Sequence, residues 1–241
     1  MTVAVEVRGL RKAFASKRVL ESIDLAVSPE ELFALVGPSG SGKTTLLRLL
    51  AGLDSPDAGV IRVAGSDPAS DGARLGREIG LVMQRPAVFR RTVFENVAYG
   101  LELRGGQEDE IETEVTAALQ AVGLADAKDA RAVTLSAGEA QRLCFARAAV
   151  LRPKLLLLDE FTANLDPANV ALLEGAVRSF HEDTRATVVI VTHNLFQAKR
   201  VARRAGLLLG GTIVETADVD TFFANPSDPR TRAFVRGEMP Y

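Results

Sequence analysis

The stretch Gly37-Pro38-Ser39-Gly40-Ser41-Gly42-Lys43-Thr44 constrains this chain more than any other. It fills every fixed position of the phosphate-loop pattern G-x-x-x-x-G-K-[ST]. Ordinary residue frequencies place that pattern in a chain of this length about once in a hundred. The flanks argue against an empty glycine turn. Leu32–Val36 is a short apolar run that reads as a buried strand, and residues 45–51 read as a helix stopped by Gly52. Strand, glycine-rich turn and helix start together aim backbone N–H groups at an anion, and the helix N-terminus adds partial positive charge. Gly37, Gly40 and Gly42 would let the backbone approach phosphates without a Cβ in the way. Lys43 would reach the β- and γ-phosphates and Thr44 would ligate Mg²⁺. Pro38, Ser39, Ser41 and Thr45 belong to the same nucleotide-binding stretch.

Bulk properties then exclude several classes. The 241 residues suffice for one large domain, or one domain with an inserted lobe, and 47% apolar content supports a substantial core. A net charge of -2 offers no basic field for nucleic acid. One cysteine, Cys144, excludes an internal disulfide and reads as a small buried hydrophobe. Two histidines and one cysteine make no metal cluster of recognisable spacing. Residues 1–6 lack the basic start and apolar run of a leader. The longest apolar runs, such as 155–158 and 188–191, fall far short of the ~20 residues that span a bilayer. A soluble cytoplasmic protein is expected, able to attach to a membrane protein.

Along the chain, Val3, Val5 and Val7 alternate with polar or small residues, as do Ile23, Leu25 and Val27, which predicts an antiparallel start. Phe14 between them is either a core phenylalanine or a platform on which a base stacks. Val60 to Val63 and Ile79 to Met83 are further strands, with residues 66–76 read as loop. Gln84 ends the second of them, at the sheet edge where ligands bind. Its amide suits Mg²⁺ or a water, and equally a plain turn. From Thr92 to Gly123 the period is helical: Val93, Val97 and Leu101, then Ile111, Val115, Leu119 and Val122, with an acidic outer face. Gly105-Gly106 separates the two helices. Ser136 and Glu139 form an S-x-x-E capping box that opens a third.

Leu155-Leu156-Leu157-Leu158-Asp159-Glu160 suits a central parallel strand buried on both faces. Two carboxylates at its end are costly unless something there is positive, and Mg²⁺ would supply that charge. Asp159 fits a metal ligand, direct or through water, and Glu160 a base that aligns water on the γ-phosphate. A helix starts at Pro167, after the polar turn Ala163-Asn164-Leu165-Asp166. The apolar strand from Thr187 ends at Thr192-His193, where a histidine can serve structure or donate to a phosphate oxygen. Residues 207–215 carry a hairpin signal about Gly210-Gly211. A short helix near 219–223 and a polar tail follow.

Taken together, these residues resemble the ATP-binding cassette of ABC transporters, over essentially the whole chain. Gly37 to Thr44 matches the Walker A loop, Leu155 to Asp159 Walker B, Gln84 the Q-loop, and Leu135 to Glu139 the signature LSGGQ. Ala163 to Asp166 matches the D-loop, His193 the switch histidine and Phe14 the adenine-stacking aromatic. The fold implied is α/β: a P-loop core at 1–84 and 155–241 with an N-terminal antiparallel β lobe, and a helical subdomain inserted at 85–154. Three departures stand out: Ala137 replaces the first signature glycine, Glu139 the usual glutamine, and Phe161 the usual proline. A Cβ at position 137 would crowd a partner's nucleotide, or cost ~1 kcal/mol if that residue were left-handed. Slower turnover is expected, not loss of function.

The resemblance implies a mechanism. Two copies stack head to tail around two ATP molecules with Mg²⁺, held by Thr44, Asp159 and Gln84. Glu160, His193 and Gln84 are the catalytic set. Ser136, Ala137, Gly138, Glu139 and Asp166 meet the nucleotide across the interface. Membrane permease subunits dock beside Gln84, near Met83, Val88, Phe89, Arg90 and Arg91, and a solute-binding protein acts through them. The protein would sit on the inner face of the cell membrane. Residues 84–93 and 192–198 resemble those of bacterial importers of tungstate and related oxyanions, although none would touch the solute. An exporter or lipid-extruding complex is the alternative within the family. A soluble ABC protein acting on ribosomes or DNA would usually carry two cassettes, long coiled coils or a basic surface. A catalytically dead interaction subunit is disfavoured by Glu160 and His193.

Overall fold

The computed structural model describes residues 4–15 and 17–239. Val3, read above as part of the opening strand, lies outside them. Val5–Phe14 (β1) and Lys17–Val27 (β2) pair antiparallel, with Val5 opposite Val27. Ala58–Val63 (β4) pairs antiparallel with the other side of β1. The alternation is physical: Val5, Val7, Leu10, Ile23, Leu25, Val27, Ile61 and Val63 are buried while their neighbours meet solvent.

The core of the sheet is parallel. Leu32–Val36 (β3), Leu155–Asp159 (β6) and Thr187–Thr192 (β7) are buried at every residue. Continuous apolar runs encode them because both faces are covered. Ile79–Val82 (β5) runs parallel to β6, and β3 lies between β7 and Arg204–Leu209 (β8). Thr212–Asp218 (β9) returns antiparallel to β8 and meets β2 at a single pair, Ser22 with Thr212. Among the described residues, nine strands form one sheet in the order β4-β1-β2-β9-β8-β3-β7-β6-β5.

The two faces of the central strands feed two cores. Leu155, Leu157, Val189 and Val191 pack with Leu46, Leu47, Leu49 and Leu50 of Lys43–Leu50 (α1) and with the antiparallel lobe. Leu156, Leu158, Val188 and Ile190 face the other way, onto helices. Those are Val93–Leu103 (α3), Glu108–Ala121 (α4), Ala137–Ala149 (α5) and Pro167–Thr184 (α6), through Val97, Val115, Leu119, Leu143, Leu173 and Val177. The apolar faces expected for α3 and α4 are the faces that pack. Leu195–Val201 (α7) and Val219–Ala224 (α8) cover the β8 side.

Three local readings need correction. The first helix begins at Lys43, not Thr45, because Gly42 at φ 106° turns the chain directly into it. The stretch 66–76, read as loop, contains one helical turn, Gly72–Leu75 (α2), whose Leu75 is buried in the core. The polar tail contains Pro229–Val235 (α9). Asp228 caps it and Phe234 anchors it in the core. The short apolar run Ala233-Phe234-Val235 did not reveal that helix in the sequence, although Asp228-Pro229 is a helix-opening signal.

Leu157 is fully buried at the centre of β6, between α1 and the sheet. Leu157→Ala is expected to cost about 3 kcal/mol. With no tryptophan in the chain, urea unfolding followed by circular dichroism is the suitable measurement.

Candidate active site

Strands β3, β5, β6 and β7 run parallel, so their C-terminal ends share one edge. Val36 lies beside Thr192, Val82 beside Leu158, and Asp159 beside Val191. This register carries the loop at 37–42, Gln84, Asp159-Glu160 and His193 to one place. The phosphate-loop glycines earn their positions differently from the sequence expectation. A Cβ on Gly37 would lie 2.2 Å from the Leu208 carbonyl oxygen, and one on Gly42 would meet Leu20 at 2.7 Å. The rest of the fold presses on the loop at both, and Gly42 needs glycine for its φ of 106° as well. Gly40, at φ 77°, has open space around it and needs glycine for its backbone angle alone.

No side chain caps the start of α1, so its first-turn N–H groups are left to the space in front of the loop. Lys43 Nζ donates to the carbonyl oxygens of Gly37 (2.8 Å) and Pro38 (3.0 Å) and lies 3.8 Å from Glu160. Ser41 Oγ is buried and has no hydrogen-bond partner among the described residues. Pro38 is half-buried, Ser39 exposed and Thr45 half-buried on the same turn.

Across the loop, Thr44 Oγ1 donates to Asp159 Oδ1 at 3.0 Å. Burial raises the Asp159 carboxyl above its usual range; the Thr44 hydrogen bond opposes this and the Glu160 charge adds to it. Burial lowers the Lys43 ammonium, against the pull of Glu160 and Asp159. Glu160 turns out of the sheet at φ 42°, its N–H bonded to the Val191 carbonyl. Its carboxylate accepts from Gln84 Nε2 at 3.2 Å and lies 3.1 Å from His193 Nδ1. Gln84 and His193 are exposed, Glu160 half-buried.

These residues fit a magnesium triphosphate. The orphaned Ser41 hydroxyl, the uncapped α1 N-terminus and Lys43 put three kinds of anion donor within one short loop and helix start. Thr44 and Asp159 supply the hard oxygens, one of them a carboxylate, with which Mg²⁺ is bound alongside phosphates. Gln84, whose NH₂ is turned to Glu160, keeps its carbonyl oxygen for that same ion. Bound there, Mg²⁺ would supply positive charge against the phosphate oxygens.

Ser136 to Glu139 lie apart from this cluster. Ser136 Oγ donates to Glu139 Oε2 (2.6 Å), its N–H donates to the same carboxylate (2.9 Å), and it accepts from the Glu139 N–H, closing the expected capping box. Among the described residues, no hydrogen bond or ion pair joins Ser136–Glu139 to residues 37–45. Ala137 is the first residue of α5 and exposed, with no positive φ. The left-handed alternative for Ala137 is thereby overturned: a helix N1 position needs an ordinary right-handed backbone, and alanine differs from glycine there by its Cβ bulk and helix propensity. Gly138 is different. A Cβ on it would meet the Asn169 side chain at 2.7 Å.

Asp166 accepts from the N–H groups of Ala168 and Asn169, both at 3.0 Å, and so caps α6. Phe14 is 49% exposed at the end of β1, with Lys12 Nζ 5.4 Å from its ring, so the core reading of this residue is excluded. Beyond Gln84, Phe89 is 40% exposed, edge-on to Tyr99 at 5.0 Å and stacked by Arg147; Arg91 lies over Tyr99.

Three residues escaped the sequence reading. Gln141 of α5 donates to the Met83 carbonyl at 2.9 Å and Arg147 to the Ala87 carbonyl at 2.7 Å, so α5 grips the stretch after β5. Asn169 bonds Asp166 and fills the space beside Gly138. Polar Gln141 and Arg147, one on each side of Cys144 at three-residue steps along a helix, are the signal that would have found the first two.

The family described as "ABC transporter" matches residues 20–163. A "Probable anion import ATP-binding protein" of Haloferax volcanii is 43% identical over 97% of this chain and 87% of its own length. The "Phosphate import ATP-binding protein PstB 2" of Natronomonas pharaonis is 43% identical over 98% of this chain and 87% of its own. Among solved structures, cbiO1 from Clostridium perfringens, part of the ABC transporter complex cbiONQ, superposes with a TM-score of 0.85 at 25% identity, covering 99% of this chain and all of that one.

Ser41→Ala removes a buried hydroxyl that lacks a partner, so thermal stability is expected to hold or rise. Affinity for ATP is expected to fall about tenfold, since a hydrogen bond to a charged group is lost. Scanning fluorimetry and titration with a fluorescent ATP analogue separate the two effects.

Proposed function

Because the chain belongs to the ABC transporter family and is an ATPase, we propose that it is the energising subunit of an importer. In this reading it works as a head-to-tail dimer under integral membrane subunits, on the cytoplasmic face, and a solute-binding protein delivers the cargo. The observation that carries the proposal is the Glu160 carboxylate. It is held between Gln84 Nε2, His193 Nδ1 and Lys43 Nζ, within two residues of the Thr44–Asp159 pair.

Each residue then has a distinct task. Lys43 would exchange two carbonyl partners for phosphate oxygens, and Ser41 would donate its hydroxyl. Thr44 and Asp159 would hold Mg²⁺. Glu160 would orient the attacking water and accept its proton. His193 would donate to the γ-phosphate oxygen where charge develops. Gln84 would release Glu160 as it turns to the metal, which links the strand-end loop to the state of the nucleotide. Phe14 would stack on the adenine. Among the described residues, the exposed start of α5 is not bonded to the phosphate loop of its own protomer, and in the dimer it would face the other protomer's triphosphate. Ser136 would then have to share the hydroxyl proton it gives to Glu139. Residues 85–154 would move as the lobe that carries this start.

The surface about Phe89, Tyr99, Arg90 and Arg91 would receive a cytoplasmic segment of the membrane subunits. Among the described residues no helix is long and apolar enough to cross a membrane itself. The cargo we propose is an oxyanion, tungstate or a relative of it. The names of the anion-import and phosphate-import relatives support that class, and so do the stretches 84–93 and 192–198. The test is reconstitution with the neighbouring membrane subunits and binding protein in proteoliposomes. Tungstate is expected to stimulate ATP hydrolysis, and an amino acid in its place is not.

Glu160→Gln is expected to keep ATP binding, lose turnover at least a hundredfold and elute as an ATP-bound dimer on gel filtration. Turnover at the wild-type rate would remove Glu160 from its role as base. Ala137→Gly is expected to hold or raise the ATPase rate, because it trades a Cβ at the interface for a small local loss of helix propensity of up to ~1 kcal/mol. A large drop would show that alanine is fitted to this interface.

A further inference from the structure

Gln197, on the first turn of α7, is fully buried, and its carbonyl oxygen has no hydrogen-bond partner among the described residues. Its NH₂ group donates to Thr162 Oγ1 at 2.6 Å and approaches Glu174 Oε1 at 3.4 Å. Reversing the amide would set its oxygen against the Glu174 carboxylate, so charge settles the orientation. Glu174, buried on α6, is in turn gripped by Arg200 of α7 through Nε at 2.9 Å and Nη2 at 2.7 Å. A buried carbonyl without a partner destabilises a fold, and methionine has the same length without that defect. The amide therefore needs a reason to be there.

Its position supplies one. Thr162 lies two residues after Glu160. Gln197 lies three residues after Asn194, which caps α7 immediately after His193. The strand ladder that aligns these two loops ends at Asp159 with Val191 and one further bond from Glu160 N to Val191 O. Beyond that point the chain leaves the sheet, with Glu160 at φ 42° and Asn164 at φ 63°. Behind the Glu160–His193 contact, the Thr162–Gln197 bond is the side-chain tie between the two loops, and the Glu174–Arg200 pair anchors its α7 end.

Resting on the proposed catalytic roles of Glu160 and His193, we propose that Thr162 and Gln197 are positioning residues. Their hydrogen bond, braced by Glu174 and Arg200, sets the distance between the Glu160 carboxylate and the His193 ring. In a purely structural role, both partners are replaceable by apolar groups of the same shape with little effect. In a positioning role, the same replacement leaves the fold intact and displaces the pair.

The test is the double variant Thr162→Val/Gln197→Met in the full chain, with Thr162→Ser as the conservative comparison. The double variant is expected to unfold at the same or a higher temperature. Its kcat for ATP is expected to fall between about tenfold and a hundredfold while KM stays within about twofold. Only two histidines are present, so ring spectra by NMR resolve His193 from His181, which is buried on α6 against the Ala186 carbonyl. The His193 signal is expected to move, the His181 signal to stay, and Thr162→Ser to resemble wild type in both readouts. A kcat within about twofold of wild type, a change confined to KM, or an unmoved His193 signal overturns the proposal. If the double variant does not fold, Gln197→Met alone carries the same readouts. The NMR measurement needs neither nucleotide nor turnover, so it fails or succeeds independently of Glu160's role as base.

Discussion

The structure depends on bringing buried opposite charges together at one edge of a parallel sheet. Lys43, Asp159 and the half-buried Glu160 are each costly to desolvate, and burial pushes both Lys43 and Asp159 toward their neutral forms. What holds them there is backbone: β3, β6 and β7 are hydrogen-bonded in register through residues buried on both faces. The apolar runs of those strands are therefore the condition for the chemistry, since a slip of one residue would carry Asp159 away from Thr44.

The second consequence is a division of labour between the two faces. One face of β6 and β7 packs on α1, which starts at the phosphate loop. The other packs on α5 and α6, which are capped by Ser136 and Asp166. In the proposed dimer a single sheet would thus support the grip on a triphosphate in its own protomer and present helix starts to a second one. The contacts of α5 with the carbonyls of Met83 and Ala87 tie that helix to the stretch beside Gln84. A movement of α5 would be felt at Phe89, the surface proposed for the membrane subunits. This is a contiguous chain of hydrogen bonds and ring contacts.

Much of this was legible in the chain because its signals are local. The loop at 37–44, the leucine run ending in Asp159-Glu160, the capping box of Ser136 and Glu139, and the hairpin about Gly210-Gly211 each need only a few adjacent residues to be recognised. The helices between Thr92 and Gly123 announced themselves by period, since each buries one face. What failed to show were elements that tertiary packing stabilises against weak local signals: the turn at Gly72–Leu75, anchored by Leu75, and the helix at Pro229–Val235, anchored by Phe234. The reasons assigned to Gly37 and Gly42 also needed the structure, because the atoms that exclude a Cβ belong to Leu208 and Leu20.

By itself, the sequence determined the order of the elements and the kinds of group available at their ends. Backbone propensity, periodicity and charge at a strand end are properties of neighbouring residues. Only the tertiary structure decided which of those groups meet. Gln84, Glu160 and His193 are separated along the chain by 76 and 33 positions, and sheet order alone places them within hydrogen-bond reach. The same holds for Thr162, Glu174, Gln197 and Arg200, whose pairing no spacing foretells because it depends on how α6 and α7 pack behind the sheet edge.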